Sequence, residues 1–230
     1  MNTSAAIAGP VAPARLMITL AVMSSTLIQV LDTTIVNVAL PHMQGELGAT
    51  TDQISWVLTS YLVSSAICMP LTGYFADVLG RKHFLLICIG GFVLASALCG
   101  ISQDLAQIVA FRLLQGIFGA ALVPLSQAIM ADAYPPEERG KAMAIWGMGV
   151  MVGPVLGPTL GGWLTEVASW RWTFYINVPI GALSLFLASQ FVPDTQKRAR
   201  RMDWSGFGML TLGIAGDRKS TRLNSSHPYR

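Results

Sequence analysis

Apolar residues in this chain gather into long blocks separated by short polar connections, with no alternation of the kind that marks strands. The blocks run from Leu16 to Ala39, Ile54 to Ala76, Phe84 to Ile101, Leu105 to Ala131, Ala142 to Thr165 and Trp172 to Pro193. Each is close to the ~20 residues an α-helix needs to cross a bilayer's hydrocarbon core. Backbone in hydrocarbon must satisfy its own hydrogen bonds, which a helix does within one segment. The pattern predicts an all-α polytopic membrane protein with six transmembrane helices over residues 16–193. A basic loop (194–203) follows, and a further block from Trp204 to Gly216 begins a seventh span. Residues 1–15 read as a flexible arm with Pro10 and Pro13, and the block after them is too long for a signal peptide. Residues 217–230, DRKSTRLNSSHPYR, cannot continue a span, and they read as a non-native tail.

The fifth block carries a second pattern. Gly149, Gly153, Gly157 and Gly161 recur every fourth residue, and a step of four advances a helix by one turn plus only ~40°. They make one nearly bare stripe, a spacing suited to close approach of another membrane helix. Pro154 and Pro158 remove two backbone donors and clash with carbonyls one turn back, so a kink or local loosening is expected between them.

Composition agrees with the block pattern: 53% of residues are apolar and only 12% charged, about half the charged share of a soluble domain. Mean hydropathy is +0.54. The net charge of +3 would suit nucleic acid, but the basic residues are sorted by connection. Arg15, Arg81, Lys82, Arg139, Lys141, Lys197, Arg198, Arg200 and Arg201 precede the first block or lie in the 2/3, 4/5 and 6/7 connections, and the alternate connections carry only Arg171. The positive-inside rule then puts the N-terminus in the cytoplasm of a multi-pass protein of the cell (cytoplasmic or inner) membrane, and nucleic acid is not an expected partner. Cys68, Cys88 and Cys99 sit inside apolar blocks without metal-ligand spacing, which supports neither disulfides nor a zinc site. His42, His83 and His227 are scattered, no nucleotide loop or cofactor motif is visible, and an enzyme is not expected.

Only two charges interrupt the six blocks, Asp32 in the first and Arg112 in the fourth. Either costs roughly 2.5–3.5 kcal/mol near the bilayer centre, so such residues usually carry function. Asp32 lies seven residues before Ala39 and Arg112 seven after Leu105. In helices of opposite direction both sit about 10 Å below the outer surface. A direct or water-bridged pair is possible if the first and fourth helices are neighbours. A titratable carboxylate whose charge answers to a nearby arginine is a proton-coupling design, while a purely structural pair is the alternative. Gln29, Thr33, Thr34 and Asn37 share the turns around Asp32, either lining a wet cavity or hydrogen-bonding between helices.

The 2/3 connection, GYFADVLGRKH from Gly73 to His83, is short. Asp77 precedes Arg81 by four residues, which permits a helical ion pair, and Gly80 can take a positive φ at the turn. In the 4/5 connection, Pro135 and Pro136 break the fourth helix, and Glu137, Glu138, Arg139 and Lys141 sit in water or pair with neighbouring loops.

These motifs resemble the major facilitator superfamily. Gly73, Asp77, Gly80, Arg81 and Lys82 match its GxxxDxxGRK signature in register. FRLLQGIFGAAL is similar to its RxxQG signature through Arg112, Gln115, Gly116, Gly119 and Ala120, although Phe118 stands between the glycines. The fifth block is similar to the antiporter signature through Gly149, Gly153, Pro154 and Gly157, with Pro158 where a second glycine is often expected. LDTTIVNVALP (31–41) and WRWTFYINVPIG (170–181) look like the fourteen-span drug:proton antiporter branch.

The resemblance implies the N-terminal half of a major facilitator fold plus a truncated seventh helix. It implies proton-coupled export of drug-like or amphipathic small molecules by alternating access. Asp32 and Arg112 would couple protons; Gln29, Thr33, Thr34, Asn37 and Gln115 would be cavity candidates. Gly149, Gly153, Pro154, Gly157, Pro158 and Gly161 would form the antiporter helix at the interface between transporter halves. Gly73, Asp77, Gly80, Arg81 and Lys82 would form a cytoplasmic latch. Expected partners are a small-molecule substrate, protons, the lipid bilayer and the missing C-terminal half, with no metal or other cofactor. Gly153 and Gly157 are therefore expected on an uncovered face. A metabolite transporter, or a non-transporting sensor or assembly subunit with this fold, is the alternative function.

Overall fold

The structure, a computed structural model, describes residues 12–195. The seventh block, the tail and most of the basic loop lie outside them. Among the described residues, six helices are long and apolar enough to cross a membrane: α1 (Ala12–Glu46), α2 (Thr51–Leu79), α3 (Arg81–Ile101), α4 (Leu105–Ala133), α5 (Arg139–Val167) and α6 (Trp172–Phe191). No strand occurs among the described residues.

Local chemistry sets the helix ends. Thr50 and Gln53 exchange side-chain and backbone hydrogen bonds as a capping box at the start of α2. Asp104 caps α4 by accepting from the Gln107 amide at 2.8 Å. Between α2 and α3, Gly80 turns the chain with φ +84° and ψ 141°, a region open essentially to glycine. Gly80→Ala is therefore expected to lower stability by about 1–3 kcal/mol. Gly73→Ala is a control, because the helix there leaves nothing within 4 Å of an added Cβ. Thermal unfolding in detergent checks the contrast, and equal losses for the two variants would contradict it.

Three spans are interrupted at or just before a proline. In α2 a 3₁₀ turn covers Met69–Leu71 around Pro70; α4 loosens at Ala120–Ala121 ahead of Pro124, and α6 at Ile176 ahead of Pro179. Each proline lacks the amide hydrogen that would continue the ladder. The α-helical assignment of α5 continues through Pro154 and Pro158, both on its exposed side.

The central helix is α1, which packs against α5, α6 and the second half of α4. The first half of α4 packs on α2, and α3 lies against α4 and α6. Apolar packing forms two clusters. One contains Ile18, Val22, Ile28, Ile89, Phe92 and Leu122. The other contains Val36, Met43, Val57, Ile108, Trp170 and Phe174 at the opposite end.

The glycine stripe is where the structure overturns the sequence expectation. Gly153, Gly157 and Gly161 are buried against α1 of the same chain, facing Val30, Thr34 and Ile35. A Cβ on Gly153 would stand 2.5 Å from Val30 Cγ1, and one on Gly161 3.1 Å from the Ile35 carbonyl. A Cβ on Gly157 would collide with the Thr34 hydroxyl. Thr34 Oγ1 also approaches the Gly153 carbonyl at 3.4 Å. A bare stripe is worth most where two backbones can close on each other, and α1 already supplies that partner. The face α5 leaves open is the bulky one: Met148, Met151 and Val155 are 66%, 67% and 70% exposed.

Candidate functional site

The two charges within the membrane meet. Arg112 Nη1 lies 2.5 Å from Asp32 Oδ2, and both side chains are fully buried. Arg112 also donates Nε to the Val57 carbonyl (3.1 Å) and Nη1 to Gln115 Oε1 (2.8 Å). Its guanidinium sits 4.3 Å from the centroid of the Tyr61 ring, a cation–π contact that replaces part of its lost hydration. Gln115 Nε2 and Asn177 Nδ2 each donate to Asp32 Oδ1 at 2.9 Å. Asn177 Nδ2 also donates to Ser96 Oγ (3.0 Å), and Ser96 donates to the Phe174 carbonyl (2.9 Å). All six helices but α5 contribute. The carboxylate thus receives three N–H donors on its two oxygens.

Among the sequence candidates, Asp32, Arg112 and Gln115 come together in this network. Thr33 and Thr34 return their hydroxyls to carbonyls of their own helix, to Val30 at 2.9 Å and 3.0 Å. Asn37 is exposed and donates to the Thr33 carbonyl (3.0 Å). Gln29 and the Tyr61 hydroxyl are buried beside each other, and Arg112 Nη2 and Asn177 Oδ1 are buried without a hydrogen-bond partner.

Sequence reasoning missed Asn177, Ser96 and Tyr61. A signal existed for the first two. Ser96 is the single hydroxyl between Phe84 and Ile101, five residues before that block ends, and Asn177 lies five after the sixth begins. In helices of opposite direction, such positions share a depth close to that of Asp32.

At the end of the helices near the 2/3 connection, Arg81 forms an ion pair with Asp132 and donates to the Ala128 carbonyl (3.4 Å). Gly80 separates Asp77 and Arg81 onto two helices, so they are not neighbours on one helix as the spacing suggested. Gly73, Asp77 and Arg81 line a cleft of about 210 Å³ with Thr72, Ala76, Pro124, Leu125 and Ala128. Lys82 is 3.9 Å from Asp194, and Arg15 is 3.0 Å from Glu138. Gly149 of the antiporter set meets only the flexible end of Met23.

The sequence model described as Major Facilitator Superfamily matches residues 22–214. The chain belongs to this superfamily. The fatty acid resistance protein FarB of Neisseria gonorrhoeae is 42% identical over 199 residues, covering 86% of this chain and 39% of FarB. The multidrug export protein EmrB of Escherichia coli K12 is 41% identical over 208 residues, covering 89% of this chain and 41% of EmrB. The chain thus spans about two fifths of the length of these relatives. Among solved structures, the human organic anion transporter MFSD10 aligns with a TM-score of 0.68 at 27% identity, over 85% of this chain and 53% of MFSD10. The xylose transporter XylE from E. coli aligns at 0.71 over 80% of this chain and 49% of XylE, and at 18% identity it speaks for the fold alone.

As a superfamily member with six apolar helices among its described residues, the chain is a multi-pass membrane protein. One apparent exception to its charge pattern is also explained. Arg171, the basic residue in the other set of connections, pairs with Glu46 and lies 4.4 Å from the Trp170 ring centroid. It donates to the Ser102 carbonyl at 3.2 Å, while Trp170 Nε1 donates to Glu46 at 2.6 Å. Its charge is spent tying together the ends of α1 and α3 and the start of α6.

Proposed function

We propose that this chain forms part of a proton-driven exporter of drug-like or amphipathic small molecules, working by alternating access in the cell membrane with its N-terminus in the cytoplasm. The observation that carries the reading is the fully buried Asp32/Arg112 pair at membrane depth, in a chain about 41% identical to a multidrug export protein. Asp32 is the proton carrier and Arg112 the counter-charge it exchanges for a proton. When Asp32 is neutral the guanidinium loses its partner, and the balance between cavity-out and cavity-in states shifts by the difference in how each houses that charge. Gln29, Thr33, Thr34, Asn37 and Gln115 are cavity candidates, with Gln115 also orienting the pair. Arg81, with Gly73, Asp77, Gly80 and Lys82, forms the cytoplasmic latch through its hold on Asp132.

In this proposal α5 has two jobs on two faces. The glycines let it ride closely on α1, and the Met148, Met151 and Val155 face meets the second transporter half. Both a fatty acid resistance protein and a multidrug exporter among the relatives favour an amphipathic substrate class. The full-length protein in proteoliposomes should move a lipophilic cationic dye against its gradient when the lumen is made acidic, and a protonophore should stop it. Dye accumulation that survives the protonophore would exclude proton drive.

A further inference from the structure

Two amides hold Asp32 Oδ1, and their other ends differ. Gln115 Oε1 is engaged by Arg112 Nη1 at 2.8 Å and faces the Cys99 thiol at 3.8 Å. If Gln115 turned over, it would present its NH2 group to the guanidinium. Asn177 has no such restraint, because its Oδ1 is buried without a hydrogen-bond partner while its Nδ2 serves both Asp32 Oδ1 and Ser96 Oγ. Buried amide oxygens are rarely left unsatisfied, so this orientation is one the charged carboxylate imposes. We infer that Asn177 is a positioning residue that reads the protonation state of Asp32 by turning its side-chain amide.

With Asp32 ionised, Oδ1 accepts and Asn177 presents its NH2. A proton from water then forms an O–H bond on Oδ1, making that oxygen a donor that repels the NH2 groups facing it. Rotation of the Asn177 amide brings its Oδ1 to accept this hydrogen, and only hydrogen bonds are exchanged. The bond from Asn177 to Ser96 breaks in the same motion, freeing Ser96 to donate to the turned oxygen and release the Phe174 carbonyl. The displaced NH2 needs a new acceptor, which requires the start of α6 to move or water to enter. Asn177 lies one residue after the interruption of α6 at Ile176, so the charge on α1 is transmitted to a point where α6 is already broken. The titratable groups facing Asp32 are Arg112 of α4, Tyr61 of α2 and Cys99 of α3; α5 meets α1 there through glycines and α6 through the neutral amide itself.

The inference rests on the proton-coupling reading of Asp32, and infrared difference spectroscopy of the full-length protein across a pH titration separates the two. The proton-coupling reading requires a protonated-carboxyl band that disappears in Asp32→Asn; a wild-type spectrum without it would overturn that reading. The Asn177 inference requires more. In wild type, the side-chain carbonyl band of isotope-labelled asparagine should shift with the same pH midpoint as the carboxyl band, and this shift should vanish in Asp32→Asn. In Asn177→Val the carboxyl band should move to the frequency of a weaker hydrogen bond. Its midpoint should rise by about one pH unit, since valine removes both the donor to the charged carboxylate and the acceptor for the neutral acid, and the bond to the charged form is the stronger. Asn177→Gln, which keeps a rotatable amide, should return the midpoint toward wild type. An asparagine band that ignores pH while the carboxyl band titrates would overturn the amide switch alone, with no variant required to fold.

Discussion

Arg112→Ala in the full-length protein is expected to abolish uphill transport and to cost about 3–5 kcal/mol of stability, because it strands a buried carboxylate. Three parts of the site are lost together: the 2.5 Å contact to Asp32, the hydrogen bond to the Val57 carbonyl, and the guanidinium over Tyr61. Arg112→Lys should restore only part, since one ammonium cannot serve Asp32, Gln115 and the Val57 carbonyl in the fork geometry used here. Adding Asp32→Asn to Arg112→Ala should recover some stability, as no unpaired charge then remains, while transport stays absent. Thermal unfolding in detergent and dye flux measure the two effects separately. A double variant less stable than Arg112→Ala alone would contradict the ion-pair account.

The second large effect is expected along the α1/α5 seam, and it is graded by what each added methyl meets. Gly157→Ala should be the worst of the stripe, because the new Cβ would collide with the Thr34 hydroxyl and lie 2.6 Å from its Cβ, on a stiff β-branched side chain. Overpacking of this kind costs about 1–3 kcal/mol. Gly153→Ala follows, against Val30, whereas at Gly149 the Met23 methyl can swing away. Gly147 and Gly162 have nothing within 4 Å, and alanine there should be neutral or stabilise by up to about 1 kcal/mol through helix propensity. Unfolding temperatures of the five variants test the ranking. Equal effects at Gly157 and Gly162 would mean the seam is not tightly packed.

The same glycines mark the limit of what the sequence could say. A four-residue repeat locates a bare stripe on its helix and tells that something approaches it, but α1 and a second transporter half would leave the same signature. Choosing between them requires knowing which face the rest of the bundle covers, and that depends on long-range packing. The polar site was legible where charge made it costly: Asp32 and Arg112 stood out in apolar blocks, and counting residues placed them at one depth. Asn177 and Ser96 carry no charge, and amides and hydroxyls in membrane helices commonly serve packing, so their depth alone did not single them out. The interruptions near Pro70, Pro124 and Pro179 were not singled out from the sequence, since α1 continues through Pro41 and α5 through Pro154 and Pro158. Asp77 and Arg81 are four residues apart yet stand on two helices, because the positive-φ Gly80 intervenes.

Asp32 as the proton carrier is tested most directly by Asp32→Asn in proteoliposomes, assayed for uphill transport and for equilibrium exchange of labelled substrate. Asparagine fixes the neutral form that the wild-type cycle visits, so the protein already tolerates Arg112 beside it. The account predicts that proton-driven accumulation is lost while downhill exchange continues. Accumulation at the wild-type level with Asp32→Asn would contradict it.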